Sequence, residues 1–387
     1  MRIESIELHQ IELPLAHPFE TSFAREVSRP CILVSIHAGG LEGWGECTAM
    51  EGPWFSHETI ETAWHLLRDF LGPMVLGSEV TEPRDLTRWF APVRGHPMAQ
   101  AALDMAVWDL SARARGRRLA DVLHEDARRG STDSGVGGFA GHVSSRVKVG
   151  ISLGIESSPS ALMDEVARRV AEGYGRVKLK IKPGWDVDIV GAVRERWPDL
   201  PLQVDANAAY APRDAATLRE LDDFDLLLIE QPYHHDDIVD HARLQANLET
   251  PLCLDESIKS PDHARWALEV DACRVVNIKV GRVGGLSAAV DIHNLCQDRA
   301  VPVWCGGMLE TNVGRAANVA LASLPNFRLP GDISASSRYY RRDVAVPDFE
   351  LEEDSTVRLP SGLGLGVRVD RERLAAVRLR HLVLGPD

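Results

Sequence analysis

The sequence predicts an α/β protein, a closed barrel of alternating strands and helices preceded by a smaller α+β lobe. Three observations predict this fold. From residue 147 onwards, short apolar runs typical of strands alternate with helix-like segments. Three successive strands end in an acid, and these acids, Asp205, Glu230 and Asp255, stand 25 residues apart, which is the length of one strand plus one helix. The part of the chain before the barrel contains both kinds of element without this repeat.

The first lobe is predicted to span residues 1–127. Residues 1–50 alternate apolar with charged or polar side chains, and the apolar run 32–36 leads into the turn Gly39-Gly40, which is typical of strands. Three helices should follow, because apolar residues then recur at helical spacing up to Trp108. The first lobe is therefore expected to be an α+β domain.

Residues 128–146 are rich in Gly and Ser and poor in large apolar side chains, which predicts a linker or an exposed loop. The barrel is predicted over 147–342, and seven or eight evenly spaced units favour a closed barrel over an open sheet. Its candidate strands are 147–152, 176–181, 201–205, 226–230, 251–255, 275–279 and 301–305, with a weaker eighth near 327–333. The tail, 343–387, returns to alternating residues and is predicted to pack back on the first lobe.

Composition and charge exclude some classes of partner. The chain has 387 residues, of which 44% are hydrophobic and 26% charged, with a formal charge of −14. That charge argues against binding nucleic acid or an anionic membrane surface. No apolar run is long enough to cross a bilayer, and no signal peptide is recognisable. The six cysteines form no C-x-x-C pair, which indicates reduced thiols in a cytoplasmic protein.

The three acids predict a metal site. In barrels of this kind the chemistry lies at the carboxyl ends of the strands, where all three acids fall. Oxygen-only ligands favour a hard cation, Mg²⁺ or Mn²⁺. An acid after a strand is often only a helix N-cap or a solvated loop residue, but the fixed spacing favours the metal site. Asn207 and Glu256 are expected to support these ligands from behind.

Lysines flank the acids. In Val177-Lys178-Leu179-Lys180-Ile181 the apolar residues should face the helices, so both lysines should point into the barrel. Two close ammonium groups should lower each other's pKa, which suits a base near neutral pH. Lys279 ends the sixth strand, on the wall opposite the second strand and Lys180. This layout suits removal of a proton α to a carboxylate and its return from either face.

These residues resemble a known family. The phrases that carry the resemblance are Lys178-Leu179-Lys180, Ile229-Glu230-Gln231-Pro232, Cys253-Leu254-Asp255-Glu256-Ser257-Ile258, Lys279-Val280-Gly281-Arg282-Val283-Gly284-Gly285, Trp304-Cys305-Gly306-Gly307-Met308-Leu309-Glu310-Thr311 and Gly43-Trp44-Gly45-Glu46. They are similar to the enolase superfamily, specifically to the o-succinylbenzoate synthase / N-succinylamino acid racemase family of its muconate-lactonizing-enzyme subgroup. The likeness covers nearly the whole chain.

The resemblance implies an α+β cap over a modified (β/α)₇β TIM barrel, a small carboxylate substrate and a homo-oligomer. It implies Mg²⁺ held by the three acids, with Lys180 and Lys279 as the two acid/base groups. Lys178 would lie beside the metal-bound carboxylate, and Arg282 would act on Lys279. The substrate should meet cap and barrel residues, although each cap residue could equally serve packing between the lobes. The predicted set is Phe19, Met50, Trp54, Phe55, Ser152, Gly306, Gly307 and Met308.

The favoured function is an N-succinyl (or N-acyl) amino acid racemase that also makes o-succinylbenzoate. The alternatives are a dedicated o-succinylbenzoate synthase of menaquinone biosynthesis, and a dipeptide epimerase or muconate cycloisomerase. Epimerases usually carry Asp-x-Asp on the eighth strand, for which the stretch from Gly306 offers no match. Acid-sugar dehydratases generally have a His base where Lys279 stands. A degenerate, non-enzymatic barrel is disfavoured because all the ionisable residues are present.

Overall fold

The first lobe is an antiparallel sheet covered by helices. The computed structural model describes residues 1–22, 24–130 and 143–385. The strands of this lobe are β1 (Ser5–Glu20), β2 (Arg25–Ala38) and β3 (Leu41–Cys47). Its helices are α1 (Ile60–Leu66), which continues through a π-helical turn (Leu67–Leu71) into α2 (Gly72–Val75), then α3 (Asp85–Phe90), α4 (Pro97–Ala114) and α5 (Leu119–Gly130).

Helix α4 lies directly on β3 because β3 carries glycine at the contact. A Cβ on Gly45 would stand only 2.0 Å from the carbonyl oxygen of Ala102. The same helix joins the lobes, since the Trp108 indole donates to Ser287 Oγ at 2.9 Å and the Asp104 carboxylate accepts from the Leu286 amide at 2.6 Å. The cap is thus fixed to the barrel at the start of a barrel helix.

The second lobe contains the parallel strands that the sequence predicts. Its strands are β4 (Arg146–Lys148), β5 (Ile151–Leu153), β6 (Val177–Lys180), β7 (Leu202–Asp205), β8 (Ile229–Glu230), β9 (Leu252–Leu254), β10 (Val275–Ile278) and β11 (Val303–Cys305). Strands β5 to β11 form one sheet in chain order. The helices are α6 (Pro159–Ala171), α7 (Val187–Arg196), α8 (Ala215–Glu220), α9 (Val239–Gln245), α10 (Pro261–Glu269), α11 (Val280–Val283), α12 (Leu286–Asp298) and α13 (Asn312–Ala322).

The weak eighth strand closes the barrel as an irregular segment. It bridges β11 at Phe327 and the start of β5 at Gly331, where it pairs with Val149. The Asp332 amide donates to the carbonyl of Cys305 at 2.8 Å, and the Gly150 amide donates to that of Gly331 at 2.8 Å. Both edges of the seven-stranded sheet therefore meet this segment. The predicted α/β barrel with an α+β capping lobe is confirmed.

The tail returns to the first lobe. Its elements are β12 (Ala345–Val346), β13 (Thr356–Arg358), β14 (Arg368–Val369), α14 (Arg371–Val377) and β15 (Arg378–Leu384). Short 3₁₀ turns lie before the tail, at Pro212–Asp214, Leu221–Phe224 and Ser336–Arg338. Strand β15 pairs antiparallel with β1, and β13 pairs with β4. The predicted strand 147–152 is therefore divided: its first part pairs with the tail, and its second part belongs to the barrel.

The remaining boundaries concern the predicted linker and the cysteines. Helix α5 includes the first three residues of the predicted linker 128–146, and residues 131–142 of that linker lie outside the described residues. All six cysteines are buried and unpaired. In the described part of the chain no helix is both long and apolar enough to span a membrane.

Candidate active site

Six charged side chains meet at the carboxyl ends of β6 to β10. Asp205 and Glu230 end β7 and β8, and they face each other in the register of the sheet. Asp255 follows β9, Lys279 follows β10, and both predicted lysines lie in β6. All six side chains are buried. The alternation of β6 and the strand-end position of the acids are therefore what brings them together.

The lysines pair with the acids. Lys178 Nζ lies 3.1 Å from Asp205 Oδ2 and 2.9 Å from Glu230 Oε2. Lys180 Nζ donates to Asp205 Oδ2 at 2.6 Å. Lys279 Nζ donates to Asp255 Oδ2 at 2.7 Å. In the described residues the three acids do not form a group whose ligand atoms all lie within 4.8 Å of one another. Each of them instead contacts at least one lysine ammonium group.

The predicted supporting residues contact this set. Asn207 accepts a hydrogen bond from Lys180 Nζ at 2.6 Å and donates one to Glu256 Oε1 at 3.0 Å. Arg282 donates to the Asp255 carboxylate and, through Nε, to the carbonyl of Ile258 at 2.6 Å. Arg282 therefore reaches Lys279 through the carboxylate that both cations share.

The acids differ in their electrostatics: although burial opposes it, the neighbouring cations lower the pKa of Asp205 and of Asp255, whereas the pKa of Glu230 and of Glu256 is raised. Burial, with repulsion from Asp205, raises the pKa of Glu230 to about 8. Burial, with repulsion from Asp255, raises the pKa of Glu256 to about 7. Clustered carboxylates in a dry site are costly to ionise, and a bound cation removes that cost. The oxygen-only donors Asp205, Glu230 and Asp255 also match the ligand preference of Mg²⁺.

The expectation that the paired lysines of β6 lower each other's pKa is wrong for Lys178. Although burial opposes it, the carboxylates of Asp332 and Glu230 raise the pKa of Lys178 well above its usual value. Burial likewise opposes a rise at Lys279, but Asp255 raises its pKa. For Lys178 and Lys279, attraction to the carboxylates that they contact outweighs repulsion from the other ammonium groups.

A cavity of about 630 Å³, including its open mouth, lies between the cap and the barrel end. Lys178, Lys180 and Lys279 line it together with Asn207. Predicted substrate contacts that also line it are Phe19, Met50, Phe55, Ser152, Gly307 and Met308. Lys279 Nζ lies 4.5 Å from the centre of the Phe55 ring. Cap and barrel thus both contribute to one cavity, with the lysines at its base.

Two predicted contacts do not line this cavity. Trp54 is 62% exposed and borders a neighbouring cavity that Glu256 and Arg282 also reach. Gly306 lies behind the site: a Cβ there would meet the Asn277 amide and Lys279 Cε. Trp54 turns outward on its loop, and Gly306 has no side chain to present.

Several site residues escaped the sequence analysis. Asp332 contacts Lys178 Nζ at 2.6 Å and Arg176 Nη1 at 2.7 Å, and Asn277 Nδ2 donates to Glu230 at 2.6 Å. Asn277 had a recognisable signal, since it is polar within an apolar strand and two residues before Lys279. The remaining unpredicted residues that line the cavity are Thr21, Ala24, Glu26, Arg29, Leu309 and Tyr339.

The stretch searched for the Asp-x-Asp pattern needs a correction, although the eighth strand itself lies where the sequence predicts it, near 327–333. The stretch from Gly306 follows β11, the seventh barrel strand, so it was the wrong place to look for Asp-x-Asp. The closing segment ends in Gly331-Asp332-Ile333-Ser334, which carries one acid of such a pair and a serine in place of the second. The pattern is therefore absent from the closing segment as well.

Family comparisons agree with this architecture. Residues 5–123 match the family described as "Mandelate racemase / muconate lactonizing enzyme, N-terminal domain", and residues 161–373 match "Enolase C-terminal domain-like". An o-succinylbenzoate synthase from Geobacillus stearothermophilus is 46% identical over 97% of this chain and 95% of its own. An N-succinylamino acid racemase from Amycolatopsis is 45% identical over the full length of both chains.

Solved structures show the same fold. A member of the enolase superfamily from Listeria innocua superposes with a TM-score of 0.92 at 37% identity, covering 99% of each chain. Another from Enterococcus faecalis gives a TM-score of 0.89 at 39% identity, also over 99% of each chain. This chain therefore belongs to the o-succinylbenzoate synthase / N-succinylamino acid racemase family of the enolase superfamily, and it is an enzyme of the racemase or lyase class.

Proposed function

We propose that this enzyme removes the proton α to a carboxylate and acts as an N-succinyl (or N-acyl) amino acid racemase, with o-succinylbenzoate synthesis as a second reaction of the same site. One observation carries the proposal. Lys180 and Lys279 line a single cavity from β6 and β10, which stand four strands apart and thus on opposite walls of the barrel. A substrate between them has an amine on each face of its α-carbon.

The lysines would divide the work by face. The neutral amine of one lysine takes the α-proton, and the ammonium group of the other returns a proton to the opposite face, which inverts the centre. For the opposite enantiomer the two lysines exchange roles. Lys279 would then act as the base with Asp255, the acid that raises its pKa in this structure, engaged by the metal instead. In o-succinylbenzoate synthesis Lys180 would take the proton and then assist the departure of water, while Lys279 stays cationic near the ring.

Asp205, Glu230 and Asp255 would hold Mg²⁺, or Mn²⁺ in its place. When bound, the ion supplies positive charge that polarises the substrate carboxylate and favours the enediolate. Lys178 contacts two of these acids directly, and it would keep a positive charge next to the substrate carboxylate. Its raised pKa suits that role, because an ammonium group held by several carboxylates does not act as a base at neutral pH.

The cavity wall suits a small carboxylate with an apolar part. Phe19, Met50 and Phe55 offer apolar surface from the cap. Ser152 Oγ is buried without a hydrogen-bond partner among the described residues, so a polar substrate group would satisfy it. We propose no nucleic-acid or membrane partner. We also propose that the chain forms a homo-oligomer, whose mass light scattering in solution would measure.

The test follows the α-proton of each enantiomer. N-succinyl amino acids of both hands are incubated with Mg²⁺ in D₂O, and both exchange and inversion are read by NMR and chiral chromatography. Lys180→Ala and Lys279→Ala should each lower racemisation by about 10²–10⁴-fold, the usual contribution of a general base. Lys148→Ala, an exposed lysine on β4, is the control. Racemisation retained in both site variants would sink the two-base mechanism.

A dedicated o-succinylbenzoate synthase is the second candidate, because relatives as similar as 46% identical carry that name. Both reactions begin with the same proton abstraction, so kcat/KM on the two substrates separates them. A chelator should abolish both activities, and Mg²⁺ should restore them. Dipeptide epimerisation is disfavoured because the closing segment of the barrel lacks the Asp-x-Asp pair. Muconate cycloisomerisation is disfavoured because a chloromuconate cycloisomerase from Pseudomonas putida is only 26% identical to this chain. If neither lead substrate turns over while Mg²⁺ binds, the proposal fails.

A further inference from the structure

The first-lobe sheet carries a group of ligand-type side chains on the face of β1 opposite to its core residues Ile6 and Leu8. We call it the sheet histidine cluster and define it as Glu7, His9, His37 and His381. Glu7 and His9 are two residues apart in β1 and so share a face. His381 of β15 is the direct partner of His9, and His37 of β2 is the partner of Ser5. Three strands thus present these groups to one place.

Glu7 stands at the centre of the cluster. Its Oε2 lies 3.1 Å from His381 Nε2 and 3.4 Å from His9 Nε2, while its Oε1 lies 3.2 Å from His37 Nε2. One ligand atom from each of Glu7, His9 and His381 falls within 4.8 Å of the others. Two ligands of a tetrahedral Zn²⁺ at normal bond lengths lie about 3.3 Å apart, so these spacings match a coordination shell.

His9 provides an independent observation. It is 1% exposed, and neither ring nitrogen has a hydrogen-bond partner in the described parts of the chain. Its ring is stacked 4.6 Å from that of His381 and 5.7 Å from the Trp44 ring. Across the ranges that the structure describes, His9 Nε2 has only the 3.4 Å contact with Glu7 Oε2 and no hydrogen bond. A buried imidazole without a hydrogen bond is unusual in a folded protein, and a ligand at Nε2 would satisfy it.

We propose that Glu7, His9 and His381 bind one divalent transition-metal ion of the zinc class, with His37 adjacent. Imidazole nitrogens with one carboxylate suit Zn²⁺, Ni²⁺ or Co²⁺, whereas Mg²⁺ prefers oxygen ligands. This site is therefore chemically distinct from the one at the barrel end. Burial lowers the pKa of His9 to about 4, which keeps the ring in the neutral form that a metal requires.

The consequence is mechanical. Within the described residues strand β15 pairs with the sheet only through β1, and its residues Leu379 and Val383 remain exposed. A metal that links His381 to Glu7 and His9 would fasten this last strand to the cap. Ligation requires the His381 ring to tilt out of its stack on His9, and its side chain, which is 33% exposed, has room to do so.

A second group, His234, His235 and Asp236, also meets the spacing of a metal site. It lies on an exposed loop, and Asp236 pairs with Lys259 at 2.7 Å. Its histidines hold no buried, unpartnered nitrogen among the described residues. It therefore serves as the internal control.

The experiment uses the full-length, untagged enzyme saturated with Mg²⁺. Zn²⁺ is titrated by calorimetry, and Co²⁺ by visible absorption, which distinguishes tetrahedral from octahedral coordination. One equivalent should bind and raise the melting temperature. His381→Ala and Glu7→Gln should each weaken binding at least tenfold without changing turnover, while the controls His235→Ala and His65→Ala should not. Absence of saturable binding, unchanged affinity in both cluster variants, or loss in His235→Ala would each overturn the proposal.

Discussion

Gly306 offers a sharp test of how the site is held. A Cβ at this position would stand 2.4 Å from Asn277 Oδ1 and 2.7 Å from Lys279 Cε, distances that real Cβ atoms essentially never show. Asn277 donates to Glu230 at 2.6 Å, and Lys279 donates to Asp255 at 2.7 Å. The variant Gly306→Ala must therefore displace a partner of one predicted metal ligand and one predicted base together.

The magnitude follows from the overlap. Restoring normal contact requires movements of about 1 Å, and overpacking of this kind costs about 1–3 kcal/mol of unfolding free energy. A misplacement of about 1 Å at a reacting group costs about 10²-fold in rate. We therefore expect kcat to fall about 100-fold, with a smaller change in KM because the apolar cap residues Phe19, Met50 and Phe55 of the cavity wall are not among the atoms that the new Cβ meets.

The assay combines steady-state kinetics on the faster of the two proposed reactions with urea unfolding. Gly191→Ala is the control. Gly191 lies on helix α7, away from the site, and a Cβ there would stand 3.2 Å from the Phe224 ring. That variant should keep kcat within twofold. A folded Gly306→Ala enzyme with kcat within threefold of the parent would refute the reasoning.

Three further outcomes are expected. Burial lowers the pKa of His293 to about 4. As pH falls below about 6.5 the unfolded chain therefore binds a proton at this residue before the folded chain does, and the linkage relation gives a loss of about 2 kcal/mol of unfolding free energy from His293 between pH 7 and pH 5. Urea unfolding of His293→Gln at the two pH values should lack this contribution. The Glu46 carboxylate accepts hydrogen bonds from the Thr311 amide at 3.0 Å and from the Thr311 hydroxyl at 2.6 Å. Glu46→Gln should lower the unfolding free energy, measured in urea, by about 1–3 kcal/mol, because the new side-chain amide turns its hydrogens towards these donors. Asp332→Asn should lower both stability and kcat, as measured by urea unfolding and steady-state kinetics.

The features that could be predicted from the sequence depend on patterns among residues close together in the chain. The acids Asp205, Glu230 and Asp255 were recognisable because each closes an apolar run and the strand–helix unit repeats at a fixed length. Lys178 and Lys180 were recognisable because a strand alternates its faces. Period and spacing are properties of neighbouring residues, and they survive folding into any parallel barrel.

Other features depend on contacts distant in sequence. Trp54 lies on a loop, where no periodicity indicates which way a ring turns, and it turned away from the cavity. Gly306 was expected at the substrate, but the position of Asn277 on the neighbouring strand places it behind Lys279. The raised pKa values of Lys178 and Lys279 were missed because packing across the barrel sets the distances between ammonium and carboxylate groups. At those distances the attraction outweighs the repulsion between ammonium groups.

Asp332 combines these lessons. It ends a segment whose bridges to its neighbours are isolated ones at Phe327 and Gly331, so its strand pattern was weak. It is nevertheless the buried carboxylate that contacts both Lys178 and Arg176. If Asp205 and Glu230 turn to a cation, Asp332 is the acid left to hold the Lys178 ammonium group beside the substrate.

Removing the Asp332 charge leaves two buried cations short of a partner, and breaking such a buried pair costs about 3–5 kcal/mol. Asp291→Asn is the control, because the Asp291 and Arg84 side chains pair while both remain partly exposed, so their ion pair should contribute far less than a buried one, about 1 kcal/mol. Asp332→Asn should therefore lose several times more unfolding free energy than Asp291→Asn, and only Asp332→Asn should lose kcat. Equal behaviour of the two variants would mean that Lys178 is held by the metal ligands alone.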